Sequence, residues 1–397
     1  MTSPARSQVV VLATLVFMAM FNLTLVSPVL PEFVKDRFET TDVAIGVFTS
    51  AEMVAYVIFA PVWGVLSDRR ERRVPFVLMG MGMSAAIFAV MPHVENLWLL
   101  IAARFVQGAF TVAAWSLAMT MALDWAGEGN RGRTMGVLGA GMMMGMTLGA
   151  PLGGVLGESW TVAGPFYLAS VVFVIALFVT VISVREPVTR RSRASSSVPL
   201  REERDLWIPG AYGFVERFTA GFFLTLFPVF LLEEFDFGSG LRGMYLGIFF
   251  LPFAVLQYPF GRLTDRWGPL PFIVLGSLVY GAIMMLVTFL QPAPLAVGMV
   301  LLGTMAAGML PASMVLVGAF SRPETHGRAM GIFNGLGSVG FAAGLLGSAL
   351  LAEVWDYRSS FIVGGLSILV VVVLTLVPLV RRFRWWSSGG RDVNPGA

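Results

Sequence analysis

The chain alternates long apolar runs with short polar breaks. The runs predict twelve helical spans, at roughly 8–30, 43–66, 74–92, 97–123, 134–157, 162–184, 207–232, 242–263, 270–290, 294–320, 329–352 and 358–380. Some carry no charge at all, as from Val74 to Met91 and from Phe361 to Val380. A helix rises 1.5 Å per residue, so each run can cross a hydrocarbon core of about 30 Å. The first run is too long for a signal-peptide core and has no small-residue cleavage site behind it, which predicts a retained helix. The breaks are mostly short, which suits a compact helical bundle.

The pattern repeats. Gly64-Val65-Leu66-Ser67-Asp68-Arg69-Arg70-Glu71-Arg72-Arg73 lies between the second and third runs, and Gly261-Arg262-Leu263-Thr264-Asp265-Arg266-Trp267-Gly268 echoes it 197 positions on. Arg131-Gly132-Arg133-Thr134-Met135-Gly136 returns as His326-Gly327-Arg328-Ala329-Met330-Gly331, offset by 195. Two unrelated motifs repeating at nearly one offset indicate a duplicated architecture. The expected fold is therefore all-α and membrane-embedded, with twelve transmembrane helices in two six-helix pseudo-repeat bundles. Residues 1–184 form the first bundle and 207–380 the second. A polar linker, 185–206, joins them, and 381–397 form a tail.

Composition agrees. Of 397 residues, 56% are hydrophobic and 13% charged, with mean hydropathy +0.79. A soluble domain carries about a quarter charged residues. The charge that remains is asymmetric. If the N-terminus is inside, the outer segments hold only Lys35, Arg37, Arg242 and Arg358, and the other loop arginines fall on the inner side. That places both termini in the cytoplasm, in the cell (inner) membrane. The basic pI is then a topology signal, with no nucleic acid implied. The basic half of the linker is either a solvated segment or one lying on anionic lipid. Arg381, Arg382, Arg384, Trp385 and Trp386 read as an interfacial anchor.

Several chemistries are excluded. There is no cysteine, hence no disulfide or thiolate metal site. The two histidines, His93 and His326, fall at opposite ends of predicted helices, so no metal centre and no cofactor are expected. Lys35 is the only lysine and sits in Val34-Lys35-Asp36, so the chain lacks the Gly-Lys-Ser/Thr of a nucleotide-binding loop. Uphill movement would draw on an ion gradient or a separate subunit. No nucleophile–base constellation points to an enzyme.

Taken over its whole length, the chain resembles the major facilitator superfamily. Its Gly64–Arg73 loop is similar to that superfamily's motif between helices 2 and 3. The resemblance implies a cytoplasmic gate in which Asp68 faces helix ends of the opposite bundle, with Arg69, Arg72 and Arg73 completing the network. Glu71 stands where the family has glycine. The second copy, with Gly261, Asp265 and Arg266, implies a weaker gate, because Pro269 and Leu270 replace basic residues. Arg104-Phe105-Val106-Gln107-Gly108 resembles the helix-4 motif of proton-coupled members. Gly149-Ala150-Pro151-Leu152-Gly153-Gly154 resembles the helix-5 motif of drug/proton antiporters, in a helix whose Gly141, Gly145, Gly149, Gly153 and Gly157 recur every fourth residue. That spacing also serves close helix packing.

Two acids fall deep inside spans. Glu52 and Arg104 are at similar depth in helices 2 and 4, so they can pair. Glu216 and Arg217 are adjacent, about 100° apart around their helix, so at least one faces the central cavity or a neighbouring helix. A carboxylate among apolar groups favours its protonated form, the property a proton-coupling site needs. The coupling candidates are thus Glu216, Glu52, Arg104 and Arg217. Asn22, Gln107, Thr111, Trp115, Tyr212, Tyr245 and Gln257 are candidates for the cavity wall. Few strongly polar groups are available there, which disfavours sugars and multiply charged substrates.

The expected function is secondary transport by alternating access, with protons exchanged for a small apolar or amphipathic compound leaving the cell. The expected partners are substrate, protons and bilayer lipid, with the chain acting as a monomer. A proton symporter or uniporter for a metabolite shares the same features. A non-transporting membrane receptor would bind without flux.

Overall fold

A computed structural model describes residues 3–126, 130–187, 206–321 and 325–387. Most of the predicted linker (188–205) and the end of the tail (388–397) lie outside these residues. The helices are α1 (Ser3–Leu25), α2 (Asp42–Arg70), α3 (Val74–Val90), α4 (Leu97–Ala126), α5 (Arg131–Ser159) and α6 (Gly164–Ser183). They continue as α7 (Trp207–Phe235), α8 (Ser239–Trp267), α9 (Leu270–Leu286), α10 (Pro292–Phe320), α11 (His326–Val354) and α12 (Tyr357–Ser387). All twelve contain stretches long and apolar enough to span a bilayer. The described residues contain no strand.

The boundaries depart from the apolar runs in instructive ways. α1 stops at Leu25, short of the expected 30, and the chain continues as a 3₁₀ turn (Ser27–Val29) and a π-helical turn (Pro31–Asp36). Pro28 and Pro31 have no N–H to extend an α-helix. α2 runs beyond its apolar stretch through Arg69 and Arg70, and ends where Glu71 takes a left-handed φ of 54°.

The packing carries the duplication into three dimensions. In the first six helices α1 packs on α5, α2 on α4, and α3 on α6 and α4. In the second six α7 packs on α11, α8 on α10, and α9 on α12 and α10. Glycines make the first of these pairs close. A Cβ on Gly145, Gly149 or Gly153 would run into the α1 backbone at Phe17, Phe21 or Leu25. Gly340 and Gly344 of α11 meet the α7 backbone at Phe214 and Phe218 in the same way.

The two sets meet chiefly through α5 against α8 and α2 against α11. One end of the bundle carries the segment between α6 and α7 and is called the linker end; the other is the far end. At the far end Gly46 of α2 abuts Ala349 of α11, and Gly243 of α8 abuts the Ala150 carbonyl of α5. Toward the linker end the same helices carry Gly64, Gly136, Gly139, Gly261, Gly331 and Gly335, and a Cβ on any of them would meet nothing within 4 Å. The molecule is closed at the far end and splayed at the linker end.

Candidate functional site

Arg104, Gln107 and Thr111 recur at a spacing that puts them on one face of α4. That face meets Glu52 of α2. Gly108 makes the approach possible, since a Cβ there would lie 2.8 Å from the Glu52 Cα. Arg104 Nη2 then reaches Glu52 Oε2 at 2.5 Å. Gln107 Nε2 donates to Glu52 Oε1 at 3.2 Å and to Thr111 Oγ1 at 2.6 Å, and Arg104 Nη1 donates to Gln107 Oε1 at 3.0 Å. Tyr56, one turn from Glu52, donates its hydroxyl to Oε1 at 2.9 Å. The Ser84 and Thr111 hydroxyls, 2.7 Å apart, extend the network to α3. Arg104 also lies over the rings of Phe48 and Phe88. The pair is buried, and removing either member leaves an uncompensated charge. Tyr56 is absent from the sequence candidates, although its position four residues after Glu52 marks it as a neighbour on the same face.

A small cavity lies between the two sets of helices. Glu52 and Arg104 are its charged wall, and Ser27 and Thr49 its hydroxyls. The rest is apolar: Leu23, Val26, Leu30 and Met53 on one side, Leu224, Phe341 and Leu345 on the other.

The second acid is held differently. Glu216 of α7 accepts the Ser313 hydroxyl of α10 on Oε1 at 2.5 Å, while Oε2 is buried without a hydrogen-bond partner. Its neighbour Arg217 turns to α11, donating from Nη2 to Asn334 Oδ1 at 2.9 Å and lying over Phe333. Gly337 of α11 leaves the space that the guanidinium fills. So Glu52 has a cation and two further donors, and Glu216 has one hydroxyl.

At the linker end, the Gly64–Arg73 loop is tied to its own set of helices. Arg73 Nη2 lies 3.1 Å from Asp68 Oδ1, and Nη1 bonds Asp124 of α4. Glu186 caps α3 by accepting the N–H of Arg73 at 2.5 Å and of Val74 at 3.0 Å. In this conformation Asp68 therefore meets Arg73 of its own loop rather than helix ends of the opposite set. Arg69, Arg72, Asp265 and Arg266 are exposed. The left-handed φ of Glu71 is the conformation for which glycine carries least strain. In the second copy Gly268 takes this place with φ 82°.

The far end holds groups that the sequence did not single out as a site. Arg242 opens α8 in what the charge pattern makes an outer segment, yet its side chain is 0% exposed and bonds Glu32, beyond α1. Lys35 lies 2.7 Å from Glu233 of α7 and 3.0 Å from Asp42 of α2. Tyr357 of α12 donates to Asp42 Oδ2 at 2.8 Å. Glu158 at the end of α5 accepts the Gly240 N–H at 2.7 Å, at the positive N-terminus of α8. Beneath them Ser27 Oγ donates to the Leu224 carbonyl at 2.5 Å, and the Thr49 and Thr225 hydroxyls lie 3.0 Å apart. Apart from Lys35–Asp42, each of these bonds joins the first set of helices to the second. Burial lowers the Lys35 ammonium, but its bonds and charge contacts with Glu233 and Asp42 outweigh that and leave it raised above its ordinary value.

The cavity-wall candidates divide. Gln107 and Thr111 stand behind the Glu52–Arg104 pair, and Trp115 packs on Tyr56. Asn22 instead donates to the Ala169 carbonyl of α6, Tyr212 bonds Thr375 of α12, and Tyr245 donates to the Pro292 carbonyl. These three serve packing within their own set, because a polar group in an apolar bundle takes the nearest partner. Gln257 is partly buried on α8 and is not among the cavity-lining residues. The helix-5 motif sits on the seam between the sets. Gly145, Gly149 and Gly153 face α1, while Pro151 and Gly154 face α8 at Gly243, Gly247 and Ser239.

Comparison with known proteins places this architecture. A family profile described as Major Facilitator Superfamily matches residues 12–238 and 210–396. The chain is 26% identical over 395 residues to the class G tetracycline resistance protein of Vibrio anguillarum, covering 95% of this chain and 98% of that protein. It is 26% identical over 361 residues to the multidrug resistance protein MdtG of Dickeya zeae, covering 85% of each. Among solved structures, a bacterial homologue of the human lysosomal transporter Spinster, inward-facing and unoccupied, superposes with a TM-score of 0.76 at 16% identity, covering 100% of both chains.

Proposed function

The chain belongs to the Major Facilitator Superfamily, and on that premise we propose that it exports a small apolar or amphipathic compound in exchange for protons. Membership makes it a multi-pass membrane transporter of small molecules and not an enzyme. The named resistance proteins favour export and a drug-like substrate. The apolar cavity, with one neutralised charge pair, suits a compound of that kind.

The observation that carries proton coupling is the contrast between the two acids. Glu52 is locked to Arg104, Gln107 and Tyr56. Glu216 has one hydroxyl partner and no cation on its carboxylate. A carboxyl without a counter-ion can take and release a proton as substrate leaves and enters. Glu216 is therefore assigned the proton, with Arg217 beside it as its electrostatic neighbour. Glu52 and Arg104 form the fixed polar wall against which substrate is placed. The linker end, with both termini and the 185–206 linker, is assigned to the cytoplasm by its arginines, in the cell membrane. The bundles 1–184 and 207–380 rock about the cavity. Asp68, Arg69, Arg72 and Arg73, with Asp265 and Arg266 opposite, close the cytoplasmic side when the far end opens.

Inside-out vesicles holding a dye-reported proton gradient test this. Lipophilic cations, neutral antibiotics and small metabolites are added to the parent, Glu216→Gln and Glu52→Gln. The expected result is that an amphipathic compound discharges the gradient in the parent and Glu216→Gln abolishes the discharge. Substrate crossing without proton movement, alike in parent and variants, rejects the antiport reading. Discharge driven only by substrate moving inward with protons identifies a symporter.

A further inference from the structure

Pro228 lies inside α7, four residues after Leu224. In an α-helix the carbonyl at 224 accepts from the N–H at 228, and proline has none. The Leu224 carbonyl is thus deprived of its usual donor in the middle of a membrane-spanning helix. Its acceptor capacity goes to Ser27 Oγ, which comes from the first set of helices and lies 2.5 Å away in a buried contact. Both Ser27 and Leu224 line the cavity. The bond is therefore a roof tie between the two sets and part of the cavity wall at once. Thr49 and Thr225 form a second such tie, and Thr49 also lines the cavity.

These facts conflict when the far end opens. Separating the two sets breaks the Ser27–Leu224 bond and leaves a carbonyl that its own helix cannot satisfy. A buried acceptor without a donor is costly. We propose that the Leu224 carbonyl is a binding subsite for a hydrogen-bond donor, an O–H or N–H, on the transported compound. The donor takes the place of the Ser27 hydroxyl, so that occupancy of the cavity releases the roof. The neighbouring Glu52 is already neutralised by Arg104, so the subsite reads a donor and does not require a cation. The inference rests on the cavity being the transport site, but needs no proton coupling.

The test measures the far end directly. The chain has no cysteine, so single cysteines placed at Glu95 and Gln291 carry spin labels without background. Both positions are exposed far-end loop residues, one in each set. The protein is held in lipid nanodiscs without a proton gradient, and the distance between labels is recorded. The probes are 4-phenyl-1-butanol and 1-fluoro-4-phenylbutane, similar in size and differing in the donor. The expected result is that the alcohol raises the far-end-open population about tenfold over the fluoride, the scale set by one unsatisfied buried acceptor. Ser27→Ala opens the far end without any probe, and Ser27→Thr, which keeps a hydroxyl, does not. Pro228→Ala restores an N–H to the helix, returns Ser27→Ala to the closed distance and removes the difference between probes. Equal responses to the two probes, no response to either, or a closed Ser27→Ala overturns the proposal. Loss of proton coupling in vesicles with these distances as expected would reject antiport and leave the subsite standing.

Discussion

The two ends of the molecule use the same helices and are in opposite states. At the far end α5 and α8 touch through Gly154, Gly243 and Gly247, and α2 touches α11 through Gly46. At the linker end the same helices present Gly136, Gly139, Gly261, Gly64, Gly331 and Gly335 to open space. The charges differ in the same way. The far end crosses the seam with Glu32–Arg242, Lys35–Glu233 and Tyr357–Asp42. The linker-end motif turns inward on its own set through Arg73, Asp68 and Asp124. The recognisable motif thus lies at the open end, while groups without a motif hold the closed one.

Matched substitutions at the two ends test that contrast. The largest effect is expected at Glu32. Replacing it by leucine leaves Arg242, fully buried, without its counter-charge and costs the closed far end about 3–5 kcal/mol. Arg242→Met is milder, because Glu32 is 29% exposed and can be hydrated. A cysteine at Leu30, buried beneath the latch, should label readily from the far side in Glu32→Leu and slowly in the parent. Arg73→Met at the linker end should leave that rate unchanged.

Glycines give the next comparison. Gly243→Leu drives a side chain into the Ala150 carbonyl and Pro151, and should weaken the closed far end by about 1–3 kcal/mol. Gly261→Leu, on the same helix, meets nothing in this state and should leave the far-end label distance as it is. It should instead impede closure of the linker end, and so slow turnover.

Smaller still is Glu71→Gly. The left-handed backbone there costs an L-residue about 1–2 kcal/mol, partly recovered by glycine. Thermal unfolding in detergent should rise by a few degrees. The second loop, which already has Gly268, offers no such gain.

The least effect belongs to Lys35. Its proton is held more tightly in the folded molecule than in the free side chain. Its contribution to the far-end contact is therefore complete below the ordinary lysine value of about 10.4 and is lost as pH rises through the raised value. The group is partly exposed, so the contribution is under about 1 kcal/mol. The label distance should show an alkaline step that Lys35→Met removes.

Much of this was legible in the sequence. Twelve spans follow from twelve apolar runs, and the duplication from two echoed motifs. The Glu52–Arg104 contact follows from matched depth, though not the role of Gly108 in bringing α4 onto α2. The burial of Arg242 could not be read, because its partner Glu32 lies 210 residues away and the contact crosses from one set of helices to the other. Asn22, Tyr212 and Tyr245 misled for a related reason. Depth and polarity locate a residue along a helix, whereas its neighbours decide which way its bonds run.

The most direct test of the central claim is proton release on binding. Purified protein in weakly buffered detergent solution is mixed with a compound that discharges the gradient in vesicles, and the pH is followed. The account predicts that the parent releases a proton as the compound binds, and that Glu216→Gln binds it and releases none. Equal release from Glu216→Gln, or binding by the parent with no release, would contradict it.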